Sequence, residues 1–279
     1  MDGFCSKIYF EKYDRTGYIG RMCVQVLCSF IAPVNQFKAL REAKTPHGTR
    51  CRLPCIIVFV GTVGAGKSTQ LNLLAFKLRT KALRVKTTSL KRGHLLTYVL
   101  EVALARLLIG RKKKVCSIRV IVEERPILFK KLFKLFLILD VVSIFCRFLF
   151  TIYLPRKLGY VIIVEEYIQA AMADYIALSE FVGFNNKSLS VTVNLLSRLA
   201  HLGGPIHTIF LDAPNDTLKA RWIHRNSLSQ RSDYLHMQRT LLLSISKKLS
   251  SSFFYINTND KTIQKTGVII MNFLKSIVT

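Results

Sequence analysis

Acidic side chains are what this chain has least of. Only 16 Asp and Glu stand against 42 Lys and Arg in 279 residues, a formal net charge of +26. A positive field of that strength is unusual for a metabolic enzyme and suits polyanionic ligands: nucleotides, nucleic acid or an acidic membrane face. The chain also lacks an internal repeat, a low-complexity tract and any disulfide-framework spacing among its seven cysteines. Those cysteines read as reduced, mostly buried small side chains of a cytoplasmic protein. Cys23, Cys28, Cys51 and Cys55, with His47 nearby, have the residue types of a zinc site. However, Cys23 and Cys28 lie in an apolar run without knuckle glycines and Cys55 abuts a strand, which reads against zinc. The run from Met22 to Val34 is short and follows Asp2, Glu11 and Asp14, which is poor signal-peptide form. The segment from Leu132 to Tyr153 is long enough to span a bilayer but carries Lys134, Asp140 and Arg147. Central Asp or Arg costs about 2.5–3.5 kcal/mol in an inserted helix. A buried core helix is therefore expected there, and no membrane partner. Half the residues are apolar, which excludes intrinsic disorder.

What the chain does contain is Gly61-Thr62-Val63-Gly64-Ala65-Gly66-Lys67-Ser68-Thr69, a match to G-x-x-x-x-G-K-[ST]. Before it runs Ile56-Ile57-Val58-Phe59-Val60, a β-branched apolar run that reads as a buried parallel strand. After it, residues 70–78 have helical spacing. Strand, glycine loop and helix are the context that this motif needs. The glycines let consecutive backbone N–H groups curl around a phosphate, and the helix N-terminus adds partial positive charge. Lys67 is expected to reach the β- and γ-phosphates of ATP, and Ser68 to hold Mg²⁺. The ion also needs a carboxylate at the end of a neighbouring buried strand. Glu165 fits, following the apolar Val161-Ile162-Ile163-Val164, with Glu166 expected to point to the opposite side.

From residue 55 the pattern is regular. Strands are expected at 56–60, 83–88, 160–164, 207–211 and 253–256, alternating with helices at about 95–109, 132–153, 168–181, 189–201, 232–250 and 260–277. A further helix follows Asp212-Ala213-Pro214, and residues 117–122 alternate like an edge strand. This is an α/β architecture with a doubly wound five-stranded parallel sheet flanked by helices. Residues 1–54 read as an N-terminal extension of unknown role, either an accessory element or an overlong reading frame in which Met22 is the true start. Residues 55–279 form the nucleotide-binding domain.

Two basic clusters complete the set. Arg221 and Arg225 lie four apart on a helix, and Arg231 follows a short polar loop. Together they suit a closing lid that brings guanidinium groups to a transferring phosphoryl group. Lys91-Arg92-Gly93-His94 follows the second strand, where ligands of open α/β sheets bind, and Arg92 is the candidate grip on an acceptor phosphate. The basic runs 111–114 and 130–131 leave nucleic acid open as a partner.

From residue 55 onward, the order of parts resembles the thymidylate kinase family of P-loop nucleoside-monophosphate kinases. The residues that carry the resemblance are the G-x-G-K-S-T loop, Glu165-Glu166-Tyr167 and Leu211-Asp212-Ala213-Pro214 leading into an R-x-x-x-R helix. Ser232-Asp233-Tyr234-Leu235 and Tyr255-Ile256-Asn257 add to it. The resemblance implies a P-loop kinase-type fold with an arginine lid, and ATP- and Mg²⁺-dependent phosphorylation of dTMP to dTDP. It implies that Lys67, Arg221, Arg225 and Arg231 act on the phosphoryl group and that Glu165, Glu166 and Tyr167 contact substrate; the sequence leaves a homodimer open. Three positions depart from the family pattern. Glu166 stands where an arginine is usual, Val63 where an acid is frequent, and Ile144 where an arginine is expected, with Arg147 one turn on as its substitute. Two other functions stay open: a nucleoside kinase using a Glu165 or Glu166 base, and a catalytically inactive basic protein binding nucleotide or nucleic acid.

Overall fold

The structure, a computed structural model, describes residues 56–90, 96–109, 126–182, 187–224 and 232–278. Five strands form one sheet: β1 (Ile56–Gly61), β2 (Val85–Ser89), β3 (Val161–Glu165), β4 (Ile206–Asp212) and β5 (Ser252–Asn257). The order is β2-β3-β1-β4-β5, and every pairing is parallel. The helices are α1 (Lys67–Arg79), α2 (Leu96–Ile109), α3 (Pro126–Phe148), α4 (Ile168–Val182), α5 (Lys187–Leu202), α6 (Asn215–His224), α7 (Ser232–Leu249) and α8 (Ile263–Val278).

Strands covered on both faces become continuous apolar runs rather than alternating ones. Accordingly β1 and β4 are buried along their whole length, while the edge strand β2, VKTTS, is half-buried. The side-chain period of two splits the core. Ile56, Val58 and Val60 join the half packed by α3, α4, α5 and α7. Ile57 and Phe59 join the half packed by α1, α6 and α8. Because β3 and β4 flank β1 on opposite sides, successive connections diverge there, and a crevice opens beyond its carboxyl end. The glycine loop leaves β1 at that point.

The segment expected as a wholly buried helix is different in the structure. It starts six residues earlier, with Pro126 in the first-turn position that proline tolerates. It then continues through a π-helical stretch, Leu149–Tyr153, into the short turn Leu154–Lys157. Its inner face, with Phe129, Phe133, Phe136, Leu137 and Ile144, is core. Its outer face exposes Leu135, Ile138, Val142 and Phe145, each 44–53 % exposed. By length and composition alone, Ile127–Lys157 could cross a membrane. Two of its charges are met within the fold: Asp140 is buried and accepts from the Tyr175 hydroxyl, and Arg147 Nε donates to Ser89 O. The N-terminal extension, the zinc-type cysteines and the 117–122 strand lie outside the described residues.

Candidate phosphate-binding site

Gly66 caps the N-terminus of α1 in the left-handed conformation, φ +93°, which a side chain would strain. A Cβ built there would meet nothing within 4 Å, so the space beside it is open. Lys67, the first residue of α1, is only 6 % exposed. Its ammonium donates to Gly61 O at 2.9 Å and Thr62 O at 3.0 Å, and lies 3.5 Å from Glu166 Oε1. Next in the helix, Ser68 Oγ donates to Glu165 Oε1 at 2.5 Å. Glu165 ends β3, in register with Phe59 of β1 and Ser89 of β2.

The two acids do not diverge as strand alternation predicts. Glu166 adopts φ +55°, a left-handed turn that ends the alternation. Its N–H donates to Phe59 O at 3.0 Å and its carbonyl accepts from Leu90 N at 2.9 Å. The main chain of Glu166 is thus held between β1 and the end of β2. Both carboxylates therefore reach the first turn of α1, Glu165 at Ser68 and Glu166 at Lys67. A non-glycine residue in that conformation costs on the order of 1 kcal/mol, and such strain concentrates at functional sites.

Ser68 and Glu165 present two hard oxygens side by side. Two cis ligands of an octahedral Mg²⁺ stand about 2.9 Å apart, given metal–oxygen bonds near 2.05 Å. The observed 2.5 Å separation fits such an ion after a shift of a few tenths of an ångström. Among the described residues, no group of three or more His, Cys, Asp or Glu is placed to hold a metal by itself, so remaining ligands would be water or phosphate oxygens.

The loop rests on a network that the sequence reading did not single out. Thr62 is fully buried and donates to Asp212 Oδ1 at 3.1 Å, which also accepts from Ala213 N at 2.9 Å. Asp212 Oδ2 accepts from the Tyr255 hydroxyl and pairs with Arg239 Nε, each at 3.1 Å. Burial and the Asp212 charge hold the Tyr255 hydroxyl above its ordinary pKa, so it stays a donor. Asp212 at the end of a buried strand was legible as a strand terminus. Tyr255, 43 residues later, stands in the Tyr255-Ile256-Asn257 strand, but nothing local pairs it with Asp212, and Arg239, 27 residues later, belongs to no motif.

Other expected site residues separate. Arg147 reaches the same carboxyl edge, since its anchor Ser89 is in register with Glu165. Burial lowers its pKa from the ordinary value, yet an arginine remains charged. Ile144, one turn earlier, is fully buried core. Arg221 does not reach across the site as a lid residue would. Its guanidinium donates to Gly64 O at 3.2 Å, Thr258 Oγ1 at 3.0 Å and Thr258 O at 3.0 Å. Tyr167 is corrected from substrate contact to core: it is fully buried, and its hydroxyl donates to Ala200 O at 3.1 Å. Burial drives that hydroxyl's pKa upward, so it is a neutral packing group. Val63 and Ser68 are exposed at the loop, and Thr69 is partly so. Arg92, Arg225 and Arg231 lie outside the described residues.

Fold and loop together define a phosphate-loop α/β protein. No family model matches the chain, and no curated protein matches it. Among solved structures, it is similar to thymidylate kinase from Ehrlichia chaffeensis at TM-score 0.46 and 18 % identity, covering 79 % of this chain and 98 % of that one. It is also similar to thymidylate kinase from Candida albicans at TM-score 0.47 and 16 % identity, covering 79 % and 91 %. Likeness at that level is one of outline, and the chemistry of the site rests on this chain's own residues.

Proposed function

We propose that this chain is an ATP-dependent nucleoside-monophosphate kinase that phosphorylates dTMP to dTDP. The observation that carries the reading is the first turn of α1, where Lys67 and the Ser68–Glu165 pair meet at the mouth of the glycine loop. Loop N–H groups and Lys67 would bind the triphosphate tail, with Lys67 placed against charge developing on the γ-phosphoryl oxygens. Ser68 and Glu165 would hold Mg²⁺, which when bound neutralises phosphate charge. An acceptor phosphate is already ionised, so this transfer needs positioning and counter-charge rather than a strong base. Arg147, on the same sheet edge, supports a role in gripping that acceptor. The choice of dTMP rests on the resemblance carried by Glu165-Glu166-Tyr167 and Leu211-Asp212-Ala213-Pro214.

One observation favours a second reading, nucleoside phosphorylation. The Glu166 carboxylate beside Lys67 opposes a dianionic acceptor and offers a base for a neutral sugar hydroxyl. An ADP-release assay with Mg·ATP against a panel of nucleosides and monophosphates separates the two. Turnover with dTMP and not thymidine, abolished by Lys67→Ala in a folded protein, is the expected outcome. Turnover with thymidine alone selects the second reading. No ADP with any acceptor, alongside salt-sensitive nucleic-acid binding, would leave the inactive binding protein standing.

A further inference from the structure

The chain has one tryptophan, Trp222, and it is 1 % exposed, in the core half beneath the glycine loop. Its indole Nε1 donates to Val63 O at 3.1 Å. The residue before it, Arg221, donates to Gly64 O at 3.2 Å and also to Thr258 Oγ1 and Thr258 O. Two neighbours on one helix thus hold two successive carbonyls of the loop. In a trans peptide the C=O and N–H point in opposite directions. With Val63 O drawn toward Trp222, the N–H of Gly64 is turned the other way. With Gly64 O drawn toward Arg221, so is the N–H of Ala65, which here donates to Thr62 O at 3.2 Å.

Gly64 shows how close this contact is. It sits at φ +88°, and a Cβ there would stand 2.8 Å from the indole Nε1. The supporting helix is itself fixed. Thr217 Oγ1 donates to Asn259 Oδ1 at 2.7 Å, and Arg239 Nη2 reaches Asn215 Oδ1 at 3.2 Å.

We infer that Arg221 and Trp222 are positioning residues that pre-set the peptide orientations of the phosphate loop, with the Gly64 N–H turned away from the supporting helix toward the polyphosphate before it arrives and the Ala65 N–H closing the turn on Thr62 O. This rests on the nucleotide-binding reading of the loop. An oriented set of amides binds charge without having to reorganise when the ligand enters. Trp222→Phe keeps an aromatic side chain but removes the donor together with the pyrrole ring, and Arg221→Gln removes the fork while retaining a polar side chain.

The experiment is calorimetric titration of wild type and both variants with the non-hydrolysable analogue Mg·AMP-PNP, alongside Tm and steady-state kinetics. Each variant is expected to bind the analogue about 3- to 10-fold more weakly, the equivalent of one hydrogen bond. The KM for ATP should rise by the same factor, with kcat nearly unchanged. Wild-type Trp222 emission should shift on adding the analogue, and the Lys67→Ala protein should show no shift. If both variants bind like wild type while Tm falls, the pair is merely structural and the inference is overturned. If Trp222→Phe does not fold, Arg221→Gln decides by the same criterion. If folded wild type binds no analogue, the nucleotide reading beneath the inference fails as well.

Discussion

Lys67 Nζ lies 3.5 Å from Glu166 Oε1, so a carboxylate already faces the cation that a triphosphate would need. An entering phosphate must compete for that ammonium and also approach a negative charge. At an effective dielectric near 20, unit charges about 4 Å apart interact by roughly 4 kcal/mol, before desolvation and rearrangement offset much of it. Glu166→Gln is therefore expected to tighten Mg·ATP binding by about tenfold, near 1.4 kcal/mol. Titration calorimetry reads this directly, and unchanged or weaker affinity would count against the internal counter-ion. The same variant sorts the acceptors. If Glu166 is a base for a hydroxyl, thymidine turnover should fall by about 10²- to 10⁴-fold. If the acceptor is dTMP, turnover should hold or rise.

Tyr167 gives a prediction of the opposite kind. Its ring is fully buried and its hydroxyl meets Ala200 O at 3.1 Å. Tyr167→Phe removes one hydrogen bond, leaving a buried carbonyl without that donor, and should cost about 1–2 kcal/mol of stability. The KM values for ATP and acceptor should not move. A stable variant with a raised acceptor KM would return Tyr167 to the site.

These two neighbours also show where the sequence can be read and where it cannot. All five strands stand within two residues of their expected ends, and for β1, β3 and β4 the reason is that buried parallel strands are short apolar runs bounded by polar turns. Lys67, Ser68 and Glu165 converge because the glycine motif and the strand-end acid are local patterns. What was not legible depends on main-chain angles and on distant partners. The left-handed turn at Glu166 redirects its side chain, and no residue type announces it. Tyr167, one step on, falls on the core side for the same reason. Trp222 and Arg239 act on the loop and on Asp212 through contacts that span 159 and 27 positions, beyond any periodic signal. For the outer face of α3, apolar content was mistaken for burial, although composition alone does not say which neighbours cover a helix.

His207 supplies the pH dependence. It is the second residue of β4, 8 % exposed, with Nδ1 2.5 Å from Ser252 Oγ, and burial holds its pKa below the ordinary 6.5. Well above pH 6.5 the imidazole is neutral in both folded and unfolded chains and contributes no slope. As pH falls through 6.5, the unfolded chain takes up the proton first, so stability declines until the folded pKa is passed. His207→Gln should flatten the fall in Tm between roughly pH 7 and pH 5, whatever the remaining charges do. Equal slopes for wild type and variant would assign the acid sensitivity elsewhere.

The outer stripe of α3 offers a surface on which a homodimer would form. Leu135, Ile138, Val142 and Phe145 recur at helical spacing and are all exposed, and the adjoining helices expose Val99 and Leu107 on α2 and Val191, Leu195 and Leu202 on α5. A stable interface takes about 800 Å² from each partner, and contiguous apolar surface is the usual core of one. Each copy carries +26, so approach is opposed by long-range repulsion that salt screens within about 10 Å at 0.1 M. A dimer built on this stripe should therefore tighten as salt rises, the reverse of nucleic-acid binding. Sedimentation velocity across a salt series tests it, with Ile138→Glu/Phe145→Glu as the variant. Both side chains face solvent, so the pair should leave the fold intact and yield a monomer. A wild-type protein that stays monomeric at tens of micromolar in high salt would remove the stripe as a dimer contact.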